Sequence, residues 1–201
     1  MVEVLVVLAI LGVLVTAAVF QVQSTIRAAS SNTAASTALN QMQRARQRAI
    51  DDRAIYRLTF MKITSGSPPV TVSSMRLEQV QLNPGGPNTY ILVGSIALPT
   101  DMEFVNVSGI PTSAASTPDG FGDGSQAINF AVNAGGDPTM IYFQPDGRAL
   151  TQTGEVANGV VYIARPGDLL SSRAISMYGG TGRCKSWRLV SLSDGTTAWA
   201  T

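Results

Sequence analysis

The segment QMQRARQRAIDDRAIYRLTFMKI (residues 41–63) changes character at its middle. Up to Ala54 it is rich in Ala, Gln and Arg, which lose little on entering a helix. From Ile55 it turns β-branched and aromatic and alternates apolar with polar residues, the pattern of a half-buried strand. The switch predicts a helix ending near residue 53 and a strand starting at once, with no Gly/Pro-rich linker between them. A helix that runs straight into a β domain is the organising feature, and the rest of the chain is read outward from that junction.

Backward from the junction, no proline occurs, and Ala, Gln, Arg and Leu are plentiful. One helix is expected from about residue 2 to residue 53, roughly 80 Å if unbroken. Its second half, TIRAASSNTAASTALNQMQRARQRAIDDRA, is amphipathic, with Ile26, Ala35, Leu39, Met42, Ala49 and Ile50 on a rough stripe. Ser30, Ser31, Asn32 and Thr33 weaken helix propensity and predict a local melt or bend. Arg44, Arg46, Arg48 and Arg53 could form a phosphate- or lipid-facing strip, but their spacing scatters them around the helix.

The first half differs. Residues 4–26 carry no charge and 4–20 are almost wholly apolar, about 34 Å of helix, enough to cross a bilayer core. No Lys or Arg precedes the run, so it reads as a retained membrane helix and not as a secretory signal. Glu3 heads it. A carboxylate in a bilayer costs a few kcal/mol and persists where it faces a partner; the alternative is an interfacial acid favoured by the helix dipole.

Forward from the junction, short apolar segments follow one another: IYRLTFMKI, SMRLEQVQL, TYILVGSIAL, MEFVNV, AINFAV, TMIYFQ, GVVYIAR, RAISMY and SWRLV. Turns such as NPGGPN, NAGGDP, QPDGRA and LSDGTT divide them, which indicates an antiparallel domain of roughly seven to ten strands. The expected organisation is an α+β chain. Residues 1–26 form a transmembrane and assembly half-helix, 27–53 an amphipathic half packing on the globular part, and 54–201 an antiparallel β-sheet domain. Its longest loop, about 108–126, is expected to be functional or mobile.

Composition narrows the chemistry. The chain has 201 residues, 45% hydrophobic and 13% charged, with a net charge of +1, so disorder is excluded and charge alone names no partner. There is no histidine and one cysteine. The commonest general base and metal ligand is missing, and no intrachain disulfide can form. No catalytic residues and no cofactor are expected. Asp119 and Asp123 do not meet an oxygen-rich calcium pattern, so no metal site is expected. Cys184 reads as a small buried hydrophobe.

The residues EVLVVLAILGVLVTAA resemble the type IV pilin-like family, the type IV pilins and type II secretion pseudopilins. Glu3 matches the family glutamate and Gly12 its small-residue position. The resemblance implies a pilin fold, removal of a leader by a prepilin peptidase, storage in the inner membrane, and polymerisation with other pilin or pseudopilin subunits. In that assembly the glutamate meets a neighbour's N-terminal amine. Here it stands third where the family has it fifth, so the mature N-terminus is expected to lie two residues upstream. TMIYFQPDGRALTQTGEVANGVVYIARPGD and AISMYGGTGRCKSWRL are similar to the GspH/FimT-type minor pilin branch. Phe143, Pro145, Gly147 and Arg148 fit its hairpin, and Gly182, Arg183 and Lys185 fit its closing segment.

In some FimT-type proteins the closing segment binds DNA. Here Arg183, Lys185, Arg188 and Trp187 are the candidates, cations for phosphates and an aromatic for base stacking. Strand alternation puts Arg183, Lys185 and Trp187 on one face, with Cys184 and Arg188 on the other. The competing reading is a solvated edge strand whose charges block aggregation. The expectation is a structural subunit of a type IV pilus or secretion pseudopilus, a minor one by its branch. It would be a single-pass inner-membrane protein with a periplasmic β domain before entering a filament. A DNA-binding minor pilin and a major pilin are the alternatives.

Overall fold

Helix α1 (Val2–Asp51) ends where the sequence changes character, and the way it ends explains why no glycine or proline is needed there. Arg53 takes up the left-handed conformation at φ 50. The Ala54 N–H then reaches back to the Ala49 carbonyl at 3.3 Å. That six-to-one bond is the signature of a Schellman cap. Strand β1 (Ile55–Ser65) begins at the next residue. The computed structural model describes residue 11 and residues 26–201, except 65–66, 68–69, 114, 123 and 132–134. Glu3, Gly12 and, apart from Leu11 and Ile26, the transmembrane reading of 4–26 lie outside the described residues, as does Asp123.

Ten further strands follow: β2 (Val70–Gln81), β3 (Thr89–Ala97), β4 (Glu103–Phe104), β5 (Ile128–Asn129), β6 (Met140–Phe143), β7 (Ala149–Leu150), β8 (Gly159–Arg165), β9 (Asp168–Tyr178), β10 (Arg183–Ser191) and β11 (Thr197–Ala200). They form two antiparallel sheets, one ordered β3-β2-β1-β6-β7 and the other β11-β10-β9-β8-β4, with β5 also pairing β8. Ser73 ties the sheets together: its carbonyl accepts from Leu98 N–H at 2.8 Å and its hydroxyl from Phe104 N–H at 3.0 Å. Lys62 meets Glu103 across the same seam at 2.7 Å.

The main core lies where α1 crosses both sheets. The sheets supply the bulk, Leu58, Phe60, Met75, Ile141, Phe143, Ile163, Ile175 and Met177, while the helix supplies mostly alanine: Ala34, Ala38, Ala45 and Ala49, with Met42 between. Small side chains let the helix axis approach the sheets closely, and large ones from the strands fill the space. The buried stripe keeps Ala35, Met42 and Ala49 of the expected one and adds Ala34, Ala38 and Ala45. Ile26 is 62% exposed, and Leu39 only borders the core.

The local melt expected as one outcome at Ser30–Thr33 is absent, since α1 continues through it. These polar side chains find partners that leave the helix ladder intact. Ser31 Oγ bonds back to the Arg27 carbonyl at 3.2 Å, Ser30 donates to Asp101 at 2.6 Å, and Asn32 Oδ1 accepts from Arg173.

The expected fold class, α+β with a transmembrane first half, is corrected. The described helix is a 26-residue stretch, not apolar enough to span a membrane, laid on a large antiparallel β domain, and 43% of the described residues are strand: the fold is mostly β. Among the described residues no helix is long and apolar enough to cross a membrane. The physical reason is that residues 26–51 are dominated by Ser, Thr, Asn, Gln and Arg on the face that the core does not cover.

Candidate functional site

The two short motifs of the C-terminal half meet on α1. Phe143 is fully buried and anchors the end of β6. After it the chain turns tightly, with Gly147 N–H on the Gln144 carbonyl at 2.9 Å and Gln144 N–H on the Arg148 carbonyl at 2.8 Å. Pro145 presets the turn, and Gly147 takes φ 82, which favours glycine. Arg148 closes locally on Asp146 at 2.6 Å and is exposed. The Arg148 backbone N–H and guanidinium hold the Asp146 carboxyl below the usual carboxylate range.

Gly182, in the turn between β9 and β10, lies directly on this hairpin. A Cβ there would stand 2.2 Å from the Gly147 carbonyl oxygen and 2.8 Å from Arg46 Cδ. Arg46 Nε donates to the same Gly147 oxygen at 3.1 Å. Hairpin, turn and helix thus share one contact point, and the motif residues act here as a structural latch. Of the four helix arginines, Arg46 is the one that reaches the β domain this way.

The segment after Gly182 forms β10 and splits its charged residues between two faces. Arg183, Lys185 and Trp187 lie on the face away from α1. Lys185 Nζ sits 3.9 Å over the Trp187 ring and 4.0 Å from Asp119. Trp187 Nε1 donates to Ser176 Oγ at 2.9 Å, and Ser176 Oγ in turn donates to Asp119. Tyr178 stacks edge-on against Phe121, ring centroids 4.9 Å apart. Burial and the Asp119 carboxylate raise the Tyr178 phenol.

Asp119 and Phe121 come from the long loop, which the sequence left as functional or mobile. It packs over this outer face, with Ile110 and Phe121 joining Val160, Tyr162, Ala174, Leu189, Trp187 and Trp199 in a second core. Gly122 shows the closeness of fit: a Cβ there would meet Val160 Cγ1 at 2.7 Å. The lid leaves a cleft of about 670 Å³ beside the β9–β10 turn, lined by Asp119, Asn158, Tyr178, Arg183, Cys184 and Lys185 among others.

This cleft can bind but is poorly equipped to react. The Cys184 thiol lies against the main core, and burial pushes it up to about 12, so the nucleophilic thiolate is suppressed. Ser176 is fully buried, its hydroxyl held between the Trp187 indole N–H and the Asp119 carboxylate, out of a substrate's reach. Among the described residues no cluster of His, Cys, Asp or Glu could hold a metal.

Arg188 is elsewhere. It pairs in the ladder with Arg173, on the face toward α1. Arg173, 7% exposed, gives Nε and Nη2 to Asn32 Oδ1 at 3.1 and 3.0 Å, and Nη1 to the Ser172 and Leu170 carbonyls at 2.9 and 3.3 Å. Sequence reasoning grouped Arg173 with Arg183, Lys185 and Arg188 as a basic cluster, but gave neither the Arg173–Arg188 pairing nor the Asp119 contact. These depend on strand pairing and on a loop folding back, which no local pattern encodes. No protein-family model, curated protein or solved structure matches the chain.

Proposed function

We propose that the chain is a non-enzymatic structural subunit of the type IV pilin-like class, serving a pilus or a type II secretion pseudopilus and polymerising through its apolar N-terminal segment. One observation carries the reading: the described helix docks on the β domain through a buried stripe from Ser31 to Ala49, and no glycine or proline in the sequence separates that part from the charge-free run 4–26. An anchor that merely tethers a domain needs a linker. An element that must place a domain at a fixed position on a filament needs rigid docking.

In this reading residues 4–26 rest in the inner membrane before assembly and then bury among neighbouring copies, with Glu3 fixing register against a neighbour's amine. The motifs around Gly147 and Gly182 favour a minor subunit. DNA capture by β10 draws less support, because Lys185 is held by Asp119 and both Trp187's indole N–H and its ring face are engaged. Arg183 alone faces the cleft with no ion pair among the described residues.

The test is filament incorporation of Glu3→Ala expressed beside the wild-type partner subunits. Membrane levels should stay unchanged while the variant is lost from sheared filaments. Incorporation at the wild-type level refutes the proposal.

A further inference from the structure

Arg173 and Arg188 face each other across β9 and β10, on the same side of the sheet and directly opposed in register. Like charges so placed destabilise a sheet. Burial weakens the Arg173 guanidinium further, and Arg188 adds to that. The carboxylate that acts favourably on Arg173, Asp168, is itself bound by Arg165 at 3.0 Å. Arg188 has no ion pair or hydrogen-bond acceptor among the described residues, although β11 ends opposite it. Of the five Arg173 N–H groups four are directed at Asn32, Ser172 and Leu170, so one on Nη2 stays open beside the five of Arg188. A buried cation with neutral acceptors only, backed by a second unpaired cation, is a site that wants an anion.

Its height along the helix says which anion. Arg173 is held at Asn32, six residues past the end of the charge-free run at Ile26. Six residues are ~9 Å of helix, near the ~5–8 Å depth of a headgroup layer. We propose that Arg188 and Arg173 form a phosphate site that takes an anionic lipid headgroup while the subunit waits in the bilayer. This rests on the membrane storage of residues 4–26 in the reading above.

The test uses the full chain in vesicles of phosphatidylcholine alone and of phosphatidylcholine with phosphatidylglycerol, followed by thermal melting of the β domain. Phosphatidylglycerol should raise the wild-type Tm by about 2–4 °C per engaged arginine. Arg188→Gln should abolish that rise and, in phosphatidylcholine alone, melt no lower than wild type, because the opposed charge is gone. Arg148→Gln, at the far end of the docked helix, should keep the rise. A rise that survives Arg188→Gln, or an equal loss of stability in both lipids, overturns the site. An equal Arg188-dependent rise with inorganic phosphate in phosphatidylcholine overturns the headgroup as source. A rise that depends on protein concentration instead of on lipid assigns the anion to a neighbouring copy, and also overturns it. A chain that does not float with either vesicle refutes membrane storage itself; one that floats without the shift refutes only the site.

Discussion

Replacing Gly182 by alanine tests whether the two C-terminal motifs are a latch or a surface decoration. The added Cβ would sit 2.2 Å from the Gly147 carbonyl oxygen, a distance at which one group must move. At φ 62 the alanine also carries the left-handed penalty of about 1–2 kcal/mol. Displacing the Gly147 carbonyl breaks its bond from Arg46, a charged donor, worth about 1.5–3 kcal/mol. The two terms together predict a loss of about 2.5–5 kcal/mol, or about 5–20 °C in Tm for a chain of this size. Thermal melting of the detergent-solubilised chain reads it directly. Gly180→Ala, where a Cβ meets nothing within 4 Å, is the control and should change stability by less than about 0.5 kcal/mol. In an Arg46→Ala background the Gly182→Ala loss should shrink by about 1 kcal/mol or more, since the bond has already gone. A Gly182→Ala loss no larger than that of Gly180→Ala, or strict additivity with Arg46→Ala, refutes the latch.

Ala38→Leu forces a branched side chain between α1 and both sheets at a fully buried position, and should cost about 1–3 kcal/mol in a denaturant titration. Ile26→Ala, at an exposed site, should stay within about 0.5 kcal/mol in the same titration. Cys184 should resist aromatic disulfide reagents in the native chain and react once urea unfolds it. Because its folded pKa is raised from 9.0 to about 12, its contribution is whole below pH 9.0 and lost as pH climbs through that window. The slope is about 1.4 kcal/mol per pH unit. Tyr56 and Tyr178 shift in the same direction, so the Cys184 share is the part of the slope that Cys184→Ala removes.

The junction at Ala54 was legible because both signals there are local: helix formers stop, alternation starts, and Arg53 caps the end without glycine. Most long strands announced themselves the same way. What the sequence concealed is what depends on distant partners. Ala149–Leu150 and Thr197–Ala200 are too short or too bland to read as strands, and they exist because β6 and β10 offer them edges. The division into two sheets hinges on β1 pairing with β6, far along the chain. The alanine stripe carries little hydropathy contrast, so Ala34, Ala38 and Ala45 went unread beside Ala35, Met42 and Ala49, and the larger Ile26 was wrongly counted in. Ser30–Asn32 looked like a weak point because their partners, Asp101 and Arg173, lie in the β domain. In the candidate site, period-two alternation was enough to separate Arg183, Lys185 and Trp187 from Arg188. It could not supply Asp119, which arrives on a loop.

The helix is fastened to the β domain near both ends of its docked part, by Asn32 on Arg173 and by Arg46 on Gly147. The two fastenings are fourteen residues apart, ~21 Å along the axis. A pull along that axis loads both at once, together with the alanine stripe between them, as a lap joint bears shear. A force that peels the helix outward from its N-terminal side meets the Ser30–Asp101 hydrogen bond first, then the Arg173 fastening and last the Arg46 one. The same contacts thus resist tension along the helix far better than leverage across it.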